Sequence, residues 1–115
     1  MKVIIDTNSL IYSIENKIDI FDFFESKGFE IIILNCVIKE IKKINAKKFK
    51  LISEIISNKN LKIKNNAEGH TDDIIIELAK KNKSAILTND RELKNKATKE
   101  KIILYTIGKN SVKKI

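Results

Sequence analysis

The chain has 115 residues, a formal net charge of +8, 43% hydrophobic residues, three Gly and no Pro. That length predicts one domain over residues 1–115, long enough to bury a core. The single Cys, Cys36, excludes an internal disulfide, a CxxC redox pair and a cysteine zinc site. No apolar run approaches the roughly 18 residues of a membrane span, and the opening MKVIIDTN reaches an acid too early for a signal peptide. A soluble protein of the cytoplasm, with no membrane partner, is the expectation. The positive charge favours a polyanionic partner. A competing origin is codon bias, because Ile, Lys and Asn dominate and 22 Lys stand against one Arg.

Residues 2–5 (KVII) predict a short buried strand. Asp6, Thr7 and Asn8 end it, and Thr7 or Asn8 suits the cap of a helix to about Ile14. IDIFDFFES (18–26) predicts a helix, with Gly28 where a C′ residue belongs. FEIIIL (29–34) has the pattern of a strand buried on both faces. Asn35 is placed to cap the next helix, whose inner stripe is Val37, Ile41 and Ile44. A second helix follows, with Phe49, Ile52, Ile55 and Ile56 inward. LKIK (61–64) alternates and suits an edge strand, and NNAEG is a loop. Thr71 is placed to cap a helix to about Lys81 with Ile75, Ile76 and Ala79 buried. SAILT (84–88) predicts a further strand. Asn89 or Asp90 opens a helix to about Ala97, KIILYTI (101–107) is the last strand, and the tail GKNSVKKI is basic and loose. Strands alternating with helices give an α/β three-layer sandwich with a mostly parallel five-stranded sheet. Ligands of such sheets bind beyond the carboxyl ends of the strands.

Four acids fall at those ends or on the helices that follow: Asp6, Glu40, Asp72 and Asp90. Each alone has a plainer role. Asp6 and Asp90 suit helix caps, Asp72 suits a helix dipole, and Glu40 suits a surface partner for Lys39 or Lys43. Together they would crowd negative charge at one sheet edge, which a divalent cation relieves. All-oxygen ligands favour Mg²⁺ or Mn²⁺ over Zn²⁺. Asp73 is rotated about 100° from Asp72 on a helix, toward a rim, as a candidate outer-sphere helper. His70, the only histidine, suits a loop position better than a catalytic one, Cys36 suits strand-end packing, and Ser9 has no Ser–His–Asp arrangement to join.

The segments VIIDTNSL, CVIKEI, TDDIIIELA and AILTNDREL resemble, in order, the four motifs of PIN-domain ribonucleases, most closely small archaeal single-domain members grouped with ribosomal-RNA-processing factors and VapC-type toxins. The resemblance implies a sheet ordered 3-2-1-4-5 and a catalytic, metal-binding set of Asp6, Glu40, Asp72 and Asp90. It implies that Asn8 and Thr88 orient those carboxylates. It also implies RNA hydrolysis to a 5′-phosphate and a 3′-hydroxyl, a homodimer, and either an antitoxin or a ribosomal particle as partner. Lys43 and Lys47 after the Glu40 helix, and Arg91 and Lys94 beside Asp90, are candidate RNA contacts. The scarcity of aromatics argues against base-stacking platforms. Two alternatives compete. A phosphoacceptor receiver domain leaves Glu40 unexplained. A non-catalytic RNA-binding scaffold on the same fold has no need of all four acids.

Overall fold

The computed structural model describes residues 1–64 and 69–115, so most of the expected NNAEG loop, residues 65–68, lies outside the described residues. The first half of the chain runs β1 (Lys2–Ile5), α1 (Thr7–Glu15), α2 (Ile20–Ser26), β2 (Glu30–Leu34), α3 (Asn35–Ile44), α4 (Ala46–Asn58) and β3 (Ile63–Lys64). The second half runs α5 (Thr71–Asn82), β4 (Ala85–Leu87), α6 (Arg91–Lys99), β5 (Leu104–Ile107) and β6 (Val112–Lys114). The sheet order is β3-β2-β1-β4-β5-β6, parallel throughout except for β6. The expected 3-2-1-4-5 order is present, with one strand more.

That sixth strand corrects the expectation of a loose tail. Val112 is buried, and β6 pairs antiparallel with β5 from Ile107↔Val112 to Tyr105↔Lys114. The link between them is a tight turn closed by Gly108 N–H donating to Ser111 C=O at 2.8 Å. A three-residue strand with one apolar side chain has too little alternation to declare itself in sequence.

β1 and β4 lie at the centre of the sheet, which is why their sequences are apolar without alternation: Val3, Ile4, Ile5, Ala85, Ile86 and Leu87 are all fully buried. Each large aliphatic side chain so removed from water contributes about 1.5–3 kcal/mol. With this strand order, the right-handed rule for parallel crossovers puts α1 to α4 on one face and α5 and α6 on the other. The packing of α1 with α3 and α4, and of α5 with α6, agrees. The first face carries an aromatic cluster in which Phe24 meets Phe23, Phe29 and Tyr105 edge-on at ring separations of 5.0–5.4 Å. α2 stops where expected: Lys27 is its C-cap, and Gly28 takes φ +79° beyond it.

Several local expectations are corrected. Ile44 is 63% exposed instead of completing the inner stripe of α3, because the chain turns at Asn45 and α4 takes over the packing. Asn45 caps α4 through its Oδ1 and Lys48 N–H. On α5 the buried residues are Ile74, Ile75 and Ala79, with Ile76 only half-buried. Asn35 and Thr71 lie inside their helices, behind N-caps Leu34 and His70 that use no side-chain bond. No described helix is long and apolar enough to cross a membrane.

Candidate active site

Sheet register builds the core of the site. Ile5 pairs with Leu87, so the residue after each strand, Asp6 and Thr88, stands beside the other at the carboxyl edge. Asp6 N–H donates to Leu87 C=O at 3.2 Å, carrying the ladder one step further. Thr88 Oγ1 donates to Asp6 Oδ2. The same hydroxyl oxygen accepts from Asp90 N–H at 3.0 Å. One threonine, fully buried, thus ties two acids that are 84 positions apart.

Asp6 and Asp90 also cap helices. Asp6 Oδ1 accepts Ser9 N–H at 2.8 Å at the start of α1. Asp90 Oδ1 accepts Leu93 N–H at 2.9 Å at the start of α6. The plain role and the chemical role coexist, because a cap uses one carboxylate oxygen, and the second oxygen of Asp6, which accepts from Thr88, still has a lone pair to offer. Between Thr88 and Asp90, Asn89 fastens the turn to β5. Its Oδ1 accepts from Ile107 N–H and from Thr106 Oγ1, both at 2.7 Å, and its Nδ2 donates to Ile107 C=O at 3.0 Å. In the T-N-D run each side chain therefore has a separate task.

Burial pushes the Asp6 carboxyl above the ordinary range, and the charge of Asp90 adds to it, against the hydrogen bonds from Thr88 and Ser9. Asp72, in the first turn of α5, is raised as well: burial first, then the negative charge of Asp90, with Asp6 and Glu92 contributing and Lys96 opposing. Asp6, Asp72 and Asp90 therefore lie within each other's electrostatic reach.

Glu40 joins from α3. Thr71 donates its hydroxyl to Glu40 Oε1, linking α3 to the first turn of α5. That bond explains why Thr71 does not cap its own helix. Cys36, one turn before Glu40, is half-buried next to the same pair. Burial pushes its thiol up, Thr71 lowers it by hydrogen bonding, and the Glu40 charge raises it. A cavity of about 460 Å³ opens here, lined by Glu40, Thr71, Asp72, Asp73, Glu92 and Lys96, with exposed His70 at its edge.

The remaining predicted residues separate. Asp73 is exposed and pairs with Lys96 at 3.6 Å. Asn8 is exposed on the first turn of α1. Arg91 is exposed at the start of α6, and Lys94 is half-buried. Lys43 and Lys47 are exposed at the α3–α4 elbow. Of these four basic residues none lines the acidic cavity, whereas Lys96 and Glu92 do. Sequence reasoning passed over both. Their spacing of four puts them on one face of α6, but only the packing of α6 against α5 turns that face to the cavity.

Residues 3–108 match the family model described as "PIN like domain". The chain belongs to the PIN-like domain family. Among curated proteins it is similar to "Ribonuclease VapC4" of Methanocaldococcus jannaschii, at 31% identity over 92% of this chain and 89% of that protein. Among solved structures it resembles the PIN domain endonuclease Utp24, with a TM-score of 0.80 and 23% identity over 98% of this chain and 90% of that one. It also resembles a domain of a functionally unknown protein from M. jannaschii, with a TM-score of 0.63 and 22% identity over 93% and 91% of the two chains. The two structural likenesses carry the fold alone.

The donor set of this PIN-like site is oxygen throughout, which suits a hard cation. As the side chains stand, no three His, Cys, Asp or Glu groups among the described residues are arranged to hold one ion together. Mg²⁺ is commonly held by only one or two carboxylates plus water and substrate phosphate, so an open site of this kind remains compatible with it.

Proposed function

We propose that this PIN-like chain is a divalent-metal-dependent endoribonuclease. The observation that carries this reading is the Asp6–Thr88–Asp90 linkage at the carboxyl ends of the two central strands, with Asp72 close enough to be perturbed by both acids. Three carboxylates held near one another against their repulsion cost stability unless a cation uses them. The ribonuclease relative, similar over nearly the whole chain, supports the same reading.

Asp6 and Asp90 would hold Mg²⁺ or Mn²⁺ through the oxygens not committed to helix capping, with Asp72 and Glu40 contributing from the adjoining cavity wall. Bound there, the ion would supply Lewis acidity to the phosphodiester and ease ionisation of the attacking water. The protein does the positioning. Thr88 fixes the Asp6 carboxylate, Asn89 fixes the turn that carries Asp90, and Thr71 fixes Glu40. Hydrolysis then adds water across the P–O3′ bond, leaving a 5′-phosphate and a 3′-hydroxyl. The exposed lysines at the α3–α4 elbow, Lys43 and Lys47, and Arg91 with Lys94 on α6 supply positive potential for the RNA backbone.

The test is incubation of the pure protein with single-stranded and structured RNA in Mg²⁺, Mn²⁺ or EDTA. Internal cleavage that requires the metal and disappears in EDTA is expected. RNA left intact under every metal condition would leave the second reading, an RNA-binding scaffold without catalysis. The absence of a ready three-ligand cluster among the described residues is the observation that favours that reading. Mn²⁺-dependent thermal stabilisation, lost in Asp6→Asn, separates the two. A toxin partnered by an antitoxin, or a processing enzyme on a ribosomal particle, would use the same site. Purification from the native cell distinguishes them by what accompanies the chain. A homodimer is the proposed assembly, to be checked by sedimentation.

A further inference from the structure

We infer that Lys96 forms a phosphate-binding subsite beside the carboxylates, and that Asp73 occupies it in the free protein until an RNA phosphate replaces it. The inference rests on the ribonuclease reading for its substrate class, but it concerns binding and not the chemical step.

The cavity flanking the acids is lined by Glu40, Asp72, Asp73 and Glu92, and Lys96 is the one cation in that lining among the described residues. Lys96 is half-buried on α6, six residues after Asp90, which is about 9 Å along the helix axis. Its charge acts on Asp72 across the cavity. A nucleic acid entering this cavity brings phosphates toward four carboxylates. Without a fixed cation on the wall, only the metal would oppose that repulsion.

The present partner of Lys96 is weakly held. Its ammonium lies 3.6 Å from Asp73 Oδ1, and the two side chains are 41% and 66% exposed. Exposed pairs of this kind contribute little, so exchanging one anionic oxygen for another costs little. A flexible ammonium is well suited to such an exchange. The two α6 residues expected from sequence are less well placed, because neither Arg91 nor Lys94 lines the cavity. The subsite therefore belongs to the face of α6 that looks at α5.

The experiment measures binding of a fluorescein-labelled single-stranded RNA to the full chain by anisotropy, in EDTA to prevent cleavage, over a series of KCl concentrations. Lys96→Met is expected to weaken binding by about five- to tenfold and to reduce the magnitude of the salt slope by about 0.7, the contribution of one phosphate contact on a single strand. Lys81→Met, the control, exposed at the far end of α5, should change the slope less than half as much. Asp73→Asn should tighten binding by a few-fold, because it removes the competing anion. A general charge effect would give the same gain in the Lys96→Met background, where less than half of it is expected. Lys96→Met binding like the wild type, Lys81→Met matching it in effect, Asp73→Asn failing to tighten, or no binding by the wild-type chain would each overturn the inference. Failure of the parent reading looks different: no metal-dependent cleavage, with the Lys96 and Asp73 effects on binding intact.

Discussion

Two regions of this molecule are built on opposite terms. Under α2, Phe23, Phe24, Phe29 and Tyr105 interlock edge to face and satisfy one another. At the carboxyl ends of β1 and β4, Asp6 is 5% exposed and its carboxyl is pushed up by burial and by its acidic neighbour. The aromatic cluster lowers the free energy of the fold. The carboxylate edge raises it, and the fold tolerates that edge because Thr88, Asn89 and two helix starts hold the acids in place. The lesson is that a group can be firmly positioned and still be electrostatically unfavourable.

The comparison is broken most forcefully on the aromatic side. Phe24→Ala should cost about 3–5 kcal/mol of stability in denaturant titration, with cleavage per folded molecule unchanged. Asp6→Asn should do the reverse. Cleavage should fall on the order of 10²–10³-fold, while the melting temperature in EDTA holds or rises. A melting temperature that drops sharply would mean that Asp6 is chiefly a structural cap.

The same residue sets a pH dependence. Asp6 and Asp72 have folded pKa values raised above 3.8, so between 3.8 and the raised values the folded state binds more protons than the unfolded one. Stability of the metal-free protein should therefore decrease as pH rises through that window, and Asp6→Asn should flatten the slope. Mn²⁺ affinity should move the other way, weakening on acidification because the ion competes with protons. Denaturant titrations from pH 4 to 7, with and without Mn²⁺, check both signs.

A smaller effect sharpens the role of Thr71. Thr71→Val should weaken the Mn²⁺ response by about tenfold, as loss of a supporting hydrogen bond does elsewhere, with little change in metal-free stability. Smallest of all, Glu15→Gln removes the 3.9 Å pair with Lys48 across α1 and α4 and should alter stability by less than about 0.5 kcal/mol.

What the sequence disclosed followed the range of its signals. Uninterrupted aliphatic runs revealed β1, β2 and β4, and hence the edge where Asp6, Thr88 and Asp90 stand. The α/β alternation disclosed the layered, mostly parallel architecture, while the order of the first five strands came with the PIN-domain resemblance. Local rules failed where a distant partner competed. Thr71 looks like a cap until Glu40, 31 positions earlier, takes its hydroxyl. Ile44 continues a helical period that the bend at Asn45 leaves in solvent. Lys96 was one of many lysines, and only the packing of α5 with α6 sets it apart from Lys94.

The antiparallel course of β6 carries a practical consequence. Because β6 doubles back along β5, Ile115 N–H reaches Leu104 C=O, at the end of the sheet where Met1 C=O meets Glu30 N–H. Both chain ends thus depart from the pole opposite the carboxylates. An affinity handle or a fused fluorescent protein at either terminus would leave the acidic mouth open, so tagged material can serve directly for the cleavage and anisotropy measurements.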